Sequence, residues 1–220
     1  TRICEYAFEY AQTMQRKRVS VVHKANIMKI SDGLALDCAR RVGEQHQTIE
    51  LREMIVDAAA MTMVRDPNRL GVLVTENLYG DILSDVAAEV AGSIGMAPSS
   101  NIGHACAMFE AVHGSAPDIA GRGVANPIGQ VWSVAMMLDF LGHRDAHDAV
   151  IAAIESVLAD AAAPRTPDLG GQAGTADLGR ALASAVAGVG VPRRPVNAGF
   201  GREIGPRIPP PLDTAKAPGF

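Results

Sequence analysis

The sequence predicts an α/β protein. Short β-branched runs, RVSVVH at 18–23 and GVLVT at 71–75, each lead into a segment whose apolar residues recur at helical spacing. Each run also delivers polar or charged residues at its C-terminal end, where open α/β sheets place their chemistry. With 220 residues, 48% of them hydrophobic, the chain can bury a substantial core in one large or two small domains.

In chain order, Ile3, Tyr6, Ala7, Tyr10, Ala11 and Met14 follow the i, i+3, i+4, i+7 pattern of an amphipathic helix, with Arg16-Lys17-Arg18 expected to cap its end. Strand 18–23 then presents His23-Lys24-Ala25-Asn26. Ser31-Asp32 starts a second helix through Leu34, Cys38 and Val42, and a short TIEL segment leads to a third helix over Arg52–Arg65, stopped by Pro67. This third helix is rich in Ala and Met and carries Asp57. A buried acid there needs a cation or donor, and the spacing offers Arg52 or Arg65. Strand 71–75 feeds the stretch NLYGDILSDVAAEVAGSIGMAPSSNIG, a helix ending in a glycine-rich loop. AMFEAVHG reads as a strand, 115–123 as a loop, and Asn126-Pro127 as the cap and first residue of a helix through Leu141. Further helices are expected over about Asp145–Ala162 and from a Thr175 cap through Val186. Gly and Pro are dense over 189–220, which reads as a disordered tail.

A net charge of −4 without a basic cluster argues against a nucleic-acid surface. No apolar run approaches the roughly 18 residues that span a bilayer. Cys4, Cys38 and Cys106 are too few and too far apart for a disulfide framework. They read as small buried hydrophobes in a reducing, cytoplasmic compartment. His46, His104, His143 and His147 lack the spacing of a zinc site. No GxGxxG follows a strand, so any dinucleotide is bound by another kind of loop.

Asp81 and Asp85 stand four residues apart and share a helical face, so their carboxylates can converge on one hard cation. On spacing alone the favoured reading is that Asp81 complements the helix dipole while Asp85 is solvated. The surrounding pattern, NL-x-GD, SD one turn later, GS-x-G and PS-x-NIG, resembles the signature of the metal-dependent β-decarboxylating dehydrogenases. This is the family of isocitrate and 3-isopropylmalate dehydrogenases. VHKANIMK, IVDAAAM and HGSAPDIAG, closed by Asn126, are similar to other segments of the same family, and the resemblance covers about 2–188.

The resemblance implies a two-domain α/β fold, truncated at its N-terminus. Residues 1–91 would be the small domain with dimer-interface helices, and 92–188 the C-terminal part of the large nucleotide-binding domain. It implies Mg²⁺ or Mn²⁺ held by Asp81 and Asp85, with Asp57 reaching in from the partner of a homodimer. It makes Lys24 the catalytic proton shuttle and places Asn26 and Glu110 near the nicotinamide end of NAD. His113, Gly114, Ser115, Ala116, Pro117, Asp118, Ile119 and Asn126 would form the adenosine loop. Without the resemblance, Lys24 is a solvated strand-end lysine, Asn26 a turn residue and 113–121 a surface loop.

The expected reaction is NAD-dependent oxidative decarboxylation of a malate-type 2-hydroxy acid. KANIMKISDG leans toward isocitrate, with 2-oxoglutarate as product; 3-isopropylmalate remains open, and ANPIGQVWS is also similar to tartrate and malate members. A non-catalytic subunit is the alternative of another class, and Lys24, Asp57, Asp81 and Asp85 together weigh against it. NAD is expected over NADP because Asp118 stands where a 2′-phosphate would be repelled. The chain begins at Thr1 within a helical pattern and contains neither the family's tyrosine acid nor an arginine cluster for the substrate carboxylates. It is therefore expected to be a fragment that does not catalyse alone.

Overall fold

The structure, a computed structural model, describes residues 1–103 and 105–189; the expectations for His104 and for the tail from 190 to 220 lie outside the described residues. Among them are seven α-helices and five strands. The described residues divide into two compact units, one of Thr1–Thr62 with Asp66–Tyr79, the other of Met63–Arg65 with the residues from 80 onward. The division falls between Tyr79 and Gly80, inside one helix, whereas the sequence places a domain boundary after residue 91.

In the first unit, β1 (Arg18–His23) is the centre of a three-stranded parallel sheet, flanked by β2 (Glu50–Ile55) and β3 (Val72–Val74). Four consecutive residues of β1 are buried, the near-continuous burial of a strand covered on both faces. The one hydroxyl among them, Ser20 Oγ, donates to Leu70 O at 2.6 Å, so its burial leaves no donor unpaired. Helix α1 (Arg2–Thr13) contributes Cys4, Ala7, Phe8 and Ala11, and α2 (Ser31–Gly43) contributes Leu36, Ala39 and Val42, to one core with Val19, Val21 and Val74. At the entry to β3, Gly71 has φ +71°, and a Cβ there would sit 2.4 Å from Arg18 O, so only glycine lets this loop pass β1.

Several expectations need correcting. Helix α1 is not closed by the basic run. Gln15 N–H donates to Gln12 O at 3.1 Å and Arg16 N–H to Ala11 O at 2.7 Å, a Schellman closure with Gln15 at φ 52° where glycine is usual. Residues 52–55 are strand, not helix: parallel pairing from Arg18↔Glu50 to His23↔Ile55 takes them into the sheet, and α3 spans only Val56–Arg65. Cross-strand pairing has outweighed local helix propensity there. Asp57 is therefore not mid-helix but in the first turn after a strand. Cys106 is exposed and Cys38 half-buried; only Cys4 is core.

The second unit holds most of α4 (Asn77–Ala91) and an antiparallel pair, β4 (Pro98–Ile102) with β5 (Ala107–Ala111). Strand β4 was not expected from PSSNI, whose Pro and Ser residues carry no strand pattern. It is completed by α5 (Ile128–Phe140), α6 (Arg144–Ala159) and α7 (Thr175–Gly188). Ile128, Ile154, Val157, Leu178 and Leu182 bring the three helices into one core. The wholly buried Ser133 Oγ donates to Glu110 O at 2.7 Å, docking α5 on β5. Helix α6 ends at Ala159 rather than near 162. Thr175 is the first residue of α7 rather than its cap; Asp177 Oδ2 instead accepts the Gly174 N–H at 3.1 Å.

Candidate active site

The first cluster is positioned by the parallel sheet. Because His23 pairs with Ile55, the residues just beyond them emerge together at the carboxyl ends of adjacent strands. These are Lys24 and, two residues past β2, Asp57. Lys24 Nζ donates to Asp57 Oδ2 in an ion pair whose side chains are 26% and 68% exposed. The ammonium's hydrogen bond holds the Asp57 carboxyl below its ordinary range. Asp57 thus finds its cation within its own chain, in Lys24, and neither in Arg52 nor in Arg65.

Lys24 is itself fixed from below. Asp32, 7% exposed at the start of α2, accepts the Lys24 backbone N–H at 2.7 Å and the Ser31 hydroxyl at 2.9 Å. Lys24 O then receives the Ile27 and Met28 N–H groups, both at 2.8 Å, and Asn26 is exposed on that turn. Sequence reasoning took Asp32 only as a helix start; its spacing of eight from Lys24 matches no local motif. Beyond β3, both oxygens of Glu76 cap α4, accepting from Leu78 N–H at 3.0 Å and Tyr79 N–H at 2.8 Å. Burial, followed by the fields of Asp32 and Glu76, raises the Tyr79 phenol above its usual range. Glu76 and Tyr79 were also missed, since both lie outside the carboxylate spacing that drew attention to this stretch.

The second cluster is on α4. Asp81 and Asp85 are exposed, and among the described residues neither carboxylate takes part in a hydrogen bond or ion pair; Asp81 contributes only its backbone carbonyl, to Ser84 Oγ. Two unpaired carboxylates at i, i+4 fit the oxygen preference of Mg²⁺ or Mn²⁺. Among the described residues no three His, Cys, Asp or Glu side chains gather into a metal site.

The third is the loop after β5. His113 is half-buried with Nδ1 2.9 Å from Gly114 O, and 114–118 are exposed. A short 3₁₀ turn, Pro117–Ile119, follows Ala116. A Cβ added at Gly114 would meet nothing within 4 Å, so the loop leaves its backbone open to a ligand such as a nucleotide. Asp118 is exposed, and Glu110 on β5 is exposed with Oε1 3.4 Å from Asn101 Nδ2. Asn126 is different: it is 7% exposed, its Oδ1 accepts Ile128 N–H at 2.9 Å and its Nδ2 donates to Asp168 Oδ2 at 2.9 Å.

Against known proteins, the sequence profile described as isocitrate/isopropylmalate dehydrogenase matches residues 1–182. The chain belongs to the isocitrate/isopropylmalate dehydrogenase family. It is similar to a homoisocitrate dehydrogenase of Methanocaldococcus jannaschii, with 46% identity over 178 residues covering 81% of this chain and 50% of that protein. It is also similar to the alpha subunit of a mitochondrial NAD isocitrate dehydrogenase of Homo sapiens, with 47% identity over 178 residues, 80% of this chain and 48% of the relative. The crystal structure of isocitrate dehydrogenase from Methylococcus capsulatus superposes with a TM-score of 0.81 at 46% identity, covering 84% of this chain and 55% of that one. The fold is therefore of the isocitrate dehydrogenase type, and the chain spans about half the length of the curated relatives it matches. These family members act on different 2-hydroxy acids by name, so membership supports a β-decarboxylating dehydrogenase without choosing the substrate.

Proposed function

We propose that this protein catalyses the NAD-dependent oxidative decarboxylation of isocitrate to 2-oxoglutarate. The observation that carries the reading is the Lys24–Asp57 pair at the carboxyl ends of adjacent parallel strands, with Lys24 anchored by buried Asp32. Lys24 serves as the group that takes the substrate hydroxyl proton, and Asp32 holds the backbone that aims it. Asp81, Asp85 and Asp57 would hold a Mg²⁺ or Mn²⁺ ion, with Asp57 and the unpaired carboxylates of α4 meeting across a homodimer. Support for that dimer is the apolar face of α3, which leaves Met61 and Val64 64% and 65% exposed. Bound there, the ion would supply charge stabilisation while the β-carboxylate leaves as CO₂.

Residues 113–119, with Asn126, would bind the adenosine half of NAD, and Glu110 and Asn26 would lie toward its nicotinamide end. Asp118 can accept from a ribose 2′-hydroxyl and repels a 2′-phosphate. The test is steady-state kinetics of the full-length protein with Mn²⁺, comparing NAD with NADP, and isocitrate with homoisocitrate, 3-isopropylmalate, malate and tartrate. The highest kcat/KM is expected for isocitrate with NAD. A higher value with NADP overturns the cofactor assignment, and a higher value with another acid overturns the substrate.

A further inference from the structure

The loop 123–127, which leads from the adenosine loop into α5, is held by a part of the chain that the proposed reaction does not use. Asp168, in the 3₁₀ turn Pro167–Leu169, lies at the surface but turns one oxygen, Oδ2, onto two buried donors. These are Ser93 Oγ at 2.5 Å and Asn126 Nδ2 at 2.9 Å. Both are charge-assisted and short. Ser93 Oγ also accepts the Gly95 N–H at 3.0 Å, so three loops meet at one carboxylate. The fit is close: a Cβ on Gly95 would lie 2.8 Å from Asn126 Cβ and 3.0 Å from Asp168 Oδ2.

The amide of Asn126 is thereby locked. Its oxygen is spent on the start of α5 and its nitrogen on Asp168, so a flip would set Oδ1 against a carboxylate and Nδ2 against the Ile128 N–H. A second tether reaches the same loop from α7. Thr175 Oγ1 donates to Ala125 O at 2.5 Å, and the Thr175 N–H donates to Gly123 O at 2.7 Å.

We infer that Asp168 and Thr175 are positioning residues for the cofactor: together they hold 123–127 and the Asn126 amide in the one shape that the adenosine loop presents to NAD. The inference rests on the dehydrogenase reading and assigns to the segment 168–175 a role in dinucleotide affinity. Neither residue touches the nucleotide in this account. Each acts by fixing Asn126 or the carbonyls of Gly123 and Ala125, so that the ordering cost is met before the ligand arrives.

The experiment is NADH binding by fluorescence titration on the full-length protein and its Asp168→Asn and Thr175→Val variants. Thermal unfolding, and the KM values for NAD and for Mn²⁺-isocitrate, are measured alongside. Asp168→Asn is expected to raise the NADH Kd and the NAD KM about tenfold, and Thr175→Val about threefold. The KM for Mn²⁺-isocitrate and kcat at saturating NAD should stay within about twofold of wild type. Thr175→Val removes one hydroxyl from a half-buried position with little change of volume, so it reads the proposal even should Asp168→Asn fail to fold. NADH affinity within twofold of wild type in the folded variants overturns the inference. So does a parallel loss of NADH and isocitrate binding that tracks a lowered Tm, since that is general destabilisation. Wild-type protein that binds no NADH overturns the proposed function and this inference with it, whereas wild-type binding with unaltered variants overturns the inference alone.

Discussion

Asp32→Ala tests whether the candidate catalytic lysine is aimed by a group that never meets substrate. The carboxylate is 7% exposed and takes the Lys24 N–H at 2.7 Å and the Ser31 hydroxyl at 2.9 Å. Truncation removes an ionised acceptor and leaves the half-buried Lys24 N–H without a partner. Hydrogen bonds to charged groups contribute about 1.5–3 kcal/mol. At about 2–4 °C per kcal/mol for a protein of this size, Tm should fall by about 3–12 °C. Displacing a reacting group by an ångström costs roughly a hundredfold in rate, so kcat should fall about tenfold to a hundredfold. Asp32→Asn keeps one acceptor oxygen but not the charge, and should fall between wild type and Asp32→Ala in both measures. Differential scanning calorimetry and turnover at saturating substrates on the full-length protein give the two numbers. A variant with wild-type Tm and wild-type kcat would falsify the claim that Asp32 holds the β1 end.

Asp57→Asn and Asp85→Asn proteins, each inactive, should recover about a quarter or less of wild-type activity when unfolded and refolded together, because mixed dimers carry one intact carboxylate set. Mixed dimers shown to form but to remain inactive would refute the shared site. Ile128→Ala removes a fully buried side chain that joins α5 to α6 and α7, and should cost about 2–5 kcal/mol in urea unfolding, with Ile128→Val losing about 0.5–1.5; a loss below 1 kcal/mol for the alanine would contradict the packing described. For Asp168, burial pushes the carboxyl up, but the hydrogen bonds from Ser93 and Asn126 outweigh it and the net shift is downward. A carboxyl lowered on folding adds stability above its unfolded pKa of about 3.9, and that stability is lost as the pH falls through the folded value. Asp168→Asn should therefore be less stable than wild type at pH 6, with the gap closing below about pH 4. A gap constant from pH 6 to pH 3 would count against the ionised carboxylate as the source.

Much of this chain was legible before its structure. Helical periodicity placed α1, α2 and α5, β-branched runs placed β1 and β3, and Asp81 and Asp85 read as a shared helical face. All of these depend on residues within a turn or two of one another, where the physics is local. Asn126-Pro127 marked the start of α5 for the same reason, although the cap position falls on Pro127, the helix begins at Ile128, and Asn126 accepts the Ile128 N–H from one residue further out. What only the tertiary structure decided is non-local. Residues 52–55 became strand because β1 offered them a ladder, and PSSNI became β4 because AMFEA lay opposite. Asp57 paired with a lysine 33 residues away, and Asp168 met Ser93 across 75. No periodicity encodes such partners. They exist because parallel strands in register bring their carboxyl ends to one edge, and because packed helices carry distant loops onto a single carboxylate oxygen.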